Sequence, residues 1–211
     1  MKYGKYLDLK IFSRAASFVA LQEAASEGPV IVVNHSKFRY DAVIVTSRTD
    51  VPCSLVALDE DWLMDAVNLC NDLLIARHDF KVHSFEYEDA LRRAMKVLRE
   101  RVVSKVVEKL EELGVSKGSR IWWCPTFFLS LLPFHAAGPY EDRDGNTRYL
   151  PDDYIASYTP TIKSLVIART GLRDGSQKLL CVGDTRRNAV PSADSDVLTN
   201  VSLMSELLAK Q

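Results

Sequence analysis

The chain has 211 residues, 47% of them hydrophobic and 26% charged, which suits one domain with a sizeable core. Lys plus Arg number 27 against 28 for Asp plus Glu, and a net charge of −1 excludes the basic field that nucleic-acid binding requires. The opening MKYGKYLD lacks the apolar core of a secretory signal and no run approaches membrane-spanning length, so the expectation is a cytoplasmic protein with no membrane association.

In chain order, residues 5–27 read as a helix: Phe12, Ala15, Ala16, Val19, Leu21 and Ala24 recur at roughly helical spacing, and Gly28-Pro29 stops the run. PVIVV (29–33) and AVIVTS (42–47) are β-branched runs joined by NHSKFRYD, read as a polar turn. Residues 60–76 suggest a shorter helix. A long one spans 84–113, striped by Leu91, Ala94, Leu98, Val102, Val106, Leu110 and Leu113. Ser84 is its expected N-cap and Gly114 its C-terminal stop, with Glu86, Glu88 and Asp89 at the positive end of the dipole. RIWWCP (120–125) is a strand, and EDRDGNTRYLPDD (141–153) a turn-rich insertion whose Asp-Gly pair suits a hairpin. YIASYTP (154–160) returns as strand. Thr159-Pro160 then opens a helix, with Thr159 as cap, that ends at Gly171. QKLLCVGD (177–184) reads as a further buried strand, and 194–209 as an amphipathic helix marked by Val197, Val201, Met204 and Leu208. This alternation predicts an α/β/α sandwich around a mostly parallel sheet.

The chemistry-bearing residues reduce to a few sets. Cys53, Cys70, Cys124 and Cys181 lie far apart without a CxxC pair, which points to free thiols rather than disulfides. Cys124 and His135 stand eleven positions apart in the most apolar stretch and invite a nucleophile–base reading. A reactive thiol needs an electropositive, partly exposed setting, whereas Cys124 lies between Trp123 and Pro125 in a run built for burial; the structural reading is preferred. His78 and His83, with Asp79 and Glu86, have neither helical-zinc nor finger spacing and are read as a solvated connector. GDTRRNAV (183–190) places two arginines at a strand end but has no glycine-rich loop, and GxGxxG, GxxxxGK[ST] and GxSxG are absent. Arg39 and Asp41 fit either a substrate-binding charge pair at a sheet edge or, as preferred, a turn held by local hydrogen bonds. No residue is assigned as catalytic, cofactor-binding or metal-binding, and no cofactor is implied.

Several stretches, taken in order, resemble the CHAT domain family, the caspase-like domains associated with tetratricopeptide repeats and abundant in fungi. AASEGPVIVVNHSKFRYDAVIV (24–45) is similar to the family's entry segment, although His35 stands where an apolar residue is expected. SRIWWCPTFFLSLLPFHAAGPY (119–140) resembles its Trp-Trp-Cys-Pro-Thr strand and following turn. YIASYTPTIKSLVIAR (154–169) and KLLCVGD (178–184) resemble later core elements. The resemblance implies that Cys124 and His135 belong to core and turn in the first half of the caspase-like fold. Active members carry the base histidine in a later His-x-x-Cys-His-Gly strand end and the nucleophile in a Ser-Ala-Cys type strand end. The 27 residues after Asp184 contain no histidine or cysteine, so neither role has a position in this sequence.

The expectation is therefore a single CHAT-like unit over 1–211, an incomplete, non-catalytic caspase-like module with a binding or regulatory role. An open sheet edge would recruit a protein partner or drive self-association. The alternative is part of a cysteine endopeptidase whose His/Cys half comes from a longer transcript or another chain.

Overall fold

The structure is a computed structural model that describes residues 17–36, 39–80, 84–141 and 144–171. The readings at 5–16, His83, 177–184, 183–190 and 194–209 lie outside these residues.

Two β-branched runs start the sheet. β1 (Val30–Ser36) and β2 (Arg39–Val45) form an antiparallel hairpin in which Val30 faces Val45 and Ser36 faces Arg39. The expected polar turn over 34–41 is largely strand. Asn34 pairs with Asp41 and His35 with Tyr40, so the ladder continues through the polar residues and only 37–38 connect the strands. Thr46 has left β2; its hydroxyl donates to the Val51 carbonyl, inside the turn to the next strand. That strand, β3 (Cys53–Ala57), pairs antiparallel with β2 and was not anticipated from the sequence.

α1 (Phe18–Glu23) is capped by the Ser17 hydroxyl, which accepts from the Ala20 N–H. It ends earlier than the expected 27, because Ala24–Glu27 turn toward β1. α2 (Trp62–Phe80) outruns the expected 60–76 by a turn, with Arg77 and His78 at its negative end. The long helix divides into α3 (Phe85–Leu98), a π-helical turn over Arg99–Val103, and α4 (Ser104–Glu112). Ser84 caps α3 as expected, accepting from the Tyr87 N–H at 3.1 Å. After α4 the Gly114 N–H reaches the Glu111 carbonyl and the Val115 N–H reaches that of Leu110. This is the crossed pattern that a glycine of positive φ, here 72°, permits.

β4 (Arg120–Pro125) lies parallel to β1, and a short meander follows it. Two 3₁₀ turns (Phe127–Leu131 and Phe134–Ala136) lead to a small hairpin of β5 (Tyr140–Glu141) and β6 (Thr147–Arg148). α5 (Leu150–Asp153) then feeds β7 (Ile155–Tyr158), which is parallel to β4. α6 (Ile162–Gly171) starts two residues later than the expected Pro160 opening. Its N-terminal hydroxyl is that of Thr161, which accepts from the Ser164 N–H, rather than that of Thr159, which donates to the Thr161 carbonyl.

The sheet order is β3-β2-β1-β4-β7, and all strands but β2 run the same way. Ile31, Val33, Ala42, Ile44, Ile121 and Trp123 share the face covered by α2, α3, α4 and the 3₁₀ turns. Val30, Val45 and Cys124 share the other face with Ala24, Ala25 and Leu165 of the α1 and α6 regions. The chain is thus an α/β sandwich with helices on both faces of a mostly parallel sheet.

Candidate functional site at the β4–β7 edge

Open α/β sheets present ligand-binding groups at the carboxyl ends of their parallel strands. Strand alternation decides what β4 offers there. Successive side chains take opposite faces, so Trp123 enters the first core and Cys124 the second. Tyr158 stands beside Trp123 in register and on the same face. The chain beyond Pro125 doubles back over that face: Phe134 stacks on Trp123 with ring centroids 5.2 Å apart. His135 then lands over Tyr158, its Nδ1 at 3.0 Å from the phenolic oxygen, which also accepts from the His135 backbone N–H. The sheet therefore separates Cys124 from His135. The two residues that sequence spacing offered as a pair do not meet.

The two buried thiols are also chemically quiet. Burial raises the pKa of Cys124, and the Ile162 backbone N–H opposes that effect only in part. Cys70, 1% exposed, is pushed up by burial to about 12 and its Sγ lies 3.7 Å from the Phe128 carbonyl. Both favour the protonated thiol over the nucleophilic thiolate. Cys53 is exposed on β3. Cys181 lies outside the described residues. Tyr158 is raised to about 12, chiefly by burial and against the N–H groups of His135 and Phe134, so it stays a neutral phenol.

The remaining candidates are dispersed. His78 Nδ1 contacts its neighbour Asp79 at 2.7 Å, and among the described residues no three His, Cys, Asp or Glu side chains gather as a metal site. Arg39 and Asp41 are strand residues rather than a turn: Arg39 Nε pairs with Asp41 Oδ2 at 2.7 Å, the arginine exposed and the carboxylate buried. Asp153 is a buried carboxylate that sequence reasoning missed. It accepts from the Tyr140 hydroxyl and pairs with Lys117 and Arg148 at 3.0 and 3.1 Å. Burial alone would raise its pKa; the Tyr140 and Lys117 hydrogen bonds outweigh that and hold it below the usual carboxylate value. This cluster fastens the β5–β6 hairpin to α5.

No protein-family model and no curated protein matches this chain. The residues themselves must therefore carry the functional argument. Among the described residues, no helix is long and apolar enough to cross a membrane.

Arg120 also stands out here, and its place at the start of a strand is no signal of that in the sequence. Its guanidinium donates to the Ser157 hydroxyl at 2.5 Å and lies over the Trp122 ring, 5.6 Å from the centroid. Arg169 approaches the same ring at 5.5 Å and bonds to the Glu23 carbonyl and the Ser26 hydroxyl. Arg169 also pairs with Glu27, whereas Arg120 has no carboxylate partner among the described residues. Among the described residues β7 has a neighbour on one side only, and its Ile155 and Tyr158 are 52% and 40% exposed.

Proposed function

We propose that this chain is a non-catalytic α/β module of the CHAT-like, caspase-like kind, acting by binding a protein partner. The observation that carries the reading is the placement of Cys124 and His135 on opposite faces of the sheet. A cysteine mechanism needs thiolate and imidazole within hydrogen-bond reach, and a buried thiol of raised pKa beneath a helix supplies neither the contact nor the charge. The stretches similar to CHAT domains support the lineage, and in that family these two positions belong to core and turn. Among the described residues no strand pairs with the outer side of β7, and a sheet edge of that kind supports binding as the mode of action.

Exposure of the full chain to peptidyl electrophiles at neutral pH tests this. Cys124 is expected to stay unmodified and peptide substrates uncut, while Cys53, being exposed, reacts with a small maleimide and serves as the internal control. Stoichiometric modification of Cys124 that disappears in His135→Ala would overturn the proposal.

A further inference from the structure

We infer that Tyr158 is a positioning residue that holds His135 in its Nε2–H tautomer. The imidazole then offers a hydrogen-bond donor and is closed as a base toward any nucleophile, whether from this chain or from a partner. The inference rests on the non-catalytic reading proposed above and extends it to a thiol that a second chain would bring.

The hydrogen bonds at the Tyr158 oxygen decide the tautomer. A phenolic oxygen accepts from at most two groups and has one proton to give. That of Tyr158 accepts the His135 backbone N–H at 3.0 Å, and the Phe134 N–H, shared with the Leu132 carbonyl, is directed at it as well. Those two donors fill its acceptor positions. The phenol keeps its own proton, since its pKa is raised to about 12, and Nδ1 of His135 stands 3.0 Å away. The proton therefore points to Nδ1, which supplies its lone pair and leaves the ring hydrogen on Nε2. With the hydrogen on Nδ1 instead, three N–H groups would crowd one oxygen and the phenol proton would lose this acceptor.

Both partners are held from Trp123. Tyr158 lies beside it in register, and the next N–H, that of Thr159, bonds to the Trp123 carbonyl at 2.9 Å. His135 is carried by the 3₁₀ turn Phe134–Ala136, whose Phe134 stacks on the Trp123 ring. Pro133 restricts the entry to that turn, and the Ala136 N–H closes on its carbonyl at 2.9 Å. The imidazole and phenol rings stand edge to face, with centroids 5.6 Å apart and planes at 82°. The pair is thus positioned by the sheet on one side and by the turn on the other.

His78 has the opposite arrangement. Its Nδ1 lies 2.7 Å from Oδ1 of Asp79. An ionised carboxylate only accepts, so Nδ1 carries the hydrogen there and Nε2 holds the lone pair. Both histidines are exposed, so solvent access does not separate them; the group beside Nδ1 does. A carboxylate orients an imidazole for proton abstraction, and a phenol that donates to it does the reverse. A cysteine brought by a partner to the carboxyl ends of β4 and β7 would find no acceptor for its proton at His135.

The experiment is a long-range proton–nitrogen correlation spectrum of the full chain in mildly alkaline buffer, where a histidine of ordinary pKa, about 6.5, is neutral. His135→Gln and His78→Gln assign the two rings. His135 is expected with its hydrogen on Nε2 and an Nδ1 resonance displaced by an accepted hydrogen bond, and His78 with its hydrogen on Nδ1. Tyr158→Phe should abolish the Nδ1 displacement and admit the Nδ1–H form. Phe134→Leu, which loosens the turn and keeps the phenol, should leave the hydrogen on Nε2. Diethyl pyrocarbonate reads the same difference, because it acylates the ring nitrogen that holds the lone pair. Mass spectrometry should show His135 carbethoxylated at least about fivefold more slowly than His78, with the gap closing in Tyr158→Phe. Hydrogen on Nδ1 of His135 in the wild type, an Nδ1 resonance indifferent to Tyr158→Phe, or carbethoxylation of His135 as fast as that of His78 would overturn the inference. The first and last are read on the wild-type protein, so they decide even where a variant fails to fold. None of the three touches Cys124, whose modification would sink the non-catalytic reading whatever the tautomer, so the two failures are distinguishable.

Discussion

Gly28 joins α1 to β1 with a φ of 138°, and a Cβ at this position would lie 1.9 Å from the Arg120 carbonyl oxygen. The obstructing atom is backbone at the start of β4, so no side-chain rotation relieves the clash. Gly28→Ala therefore combines a strained dihedral with displacement of β4 from β1. We expect a loss of roughly 2–3 kcal/mol of stability, measured as a lower midpoint in urea denaturation. A midpoint unchanged from wild type would show that β4 yields at no cost. The sequence marked Gly28-Pro29 only as a helix stop, because the crowding comes from a strand more than 90 residues later. The same limit explains the site. The burial of Cys124 was legible from its apolar neighbours, and Ser84 and Gly114 from their positions around a striped run. The placement of Arg120 beside Trp122 and Ser157 and the burial of Asp153 were not. Both depend on which charges the fold brings near, and nothing local in RIWWCP or LPDDY encodes that.

Among the elements, the run from Ser84 to Gly114 shows how far a pattern can be read. Its apolar stripe, its cap and its stop all appear where the spacing places them. The π-helical turn over Arg99–Val103 does not follow from the stripe, which it interrupts by adding a residue. That extra residue buries Val102 and Val103 side by side, and the Ser104 hydroxyl donates back to the Glu100 carbonyl there. β3 escaped notice for a different reason. Of its five residues only Val56 is buried, so its strand conformation comes from pairing with β2 rather than from a hydrophobic pattern of its own. At the start of α6, two threonines two residues apart compete for the cap, and only the backbone path decides for Thr161. The cap at Ser84 gives the test at this scale. Removing its hydroxyl leaves the Tyr87 N–H without that acceptor, so Ser84→Ala should cost about 1 kcal/mol and lower the melting temperature by roughly 2–4 °C. Ser84→Asp, which restores an acceptor and adds favourable charge at the helix start, should recover most of the loss in the same calorimetric scan. Equal melting temperatures for all three proteins would deny the cap any energetic role.

Across the whole molecule, the two faces of the sheet are built unequally, and the burial of Cys124 depends on their acting as one unit. The first face carries Trp123 and Phe134, fully buried and stacked, beneath helices that extend over most of the strands. The second face near β4 is closed by short elements, with Leu165 of α6 set among Val30, Val45 and Cys124. The two layers meet through β4, whose Trp123 enters the first and Cys124 the second, while β7 is held on the first face by His135 over Tyr158. Truncation on each face measures this coupling. Phe134→Ala empties the stack on Trp123 and loosens the anchor of the turn that carries His135, at a cost of about 3–5 kcal/mol. Leu165→Ala opens the thinner layer, at a cost of about 2–3 kcal/mol because its surroundings collapse more easily. Tryptophan fluorescence and far-ultraviolet circular dichroism followed together in urea should show a single shared transition for both variants, displaced further by Phe134→Ala. Two separated transitions in Leu165→Ala would mean that α6 melts from the sheet on its own. The layer over Val30, Val45 and Cys124 would then open before the first core unfolds, and the Cys124 thiol would become reachable ahead of global unfolding.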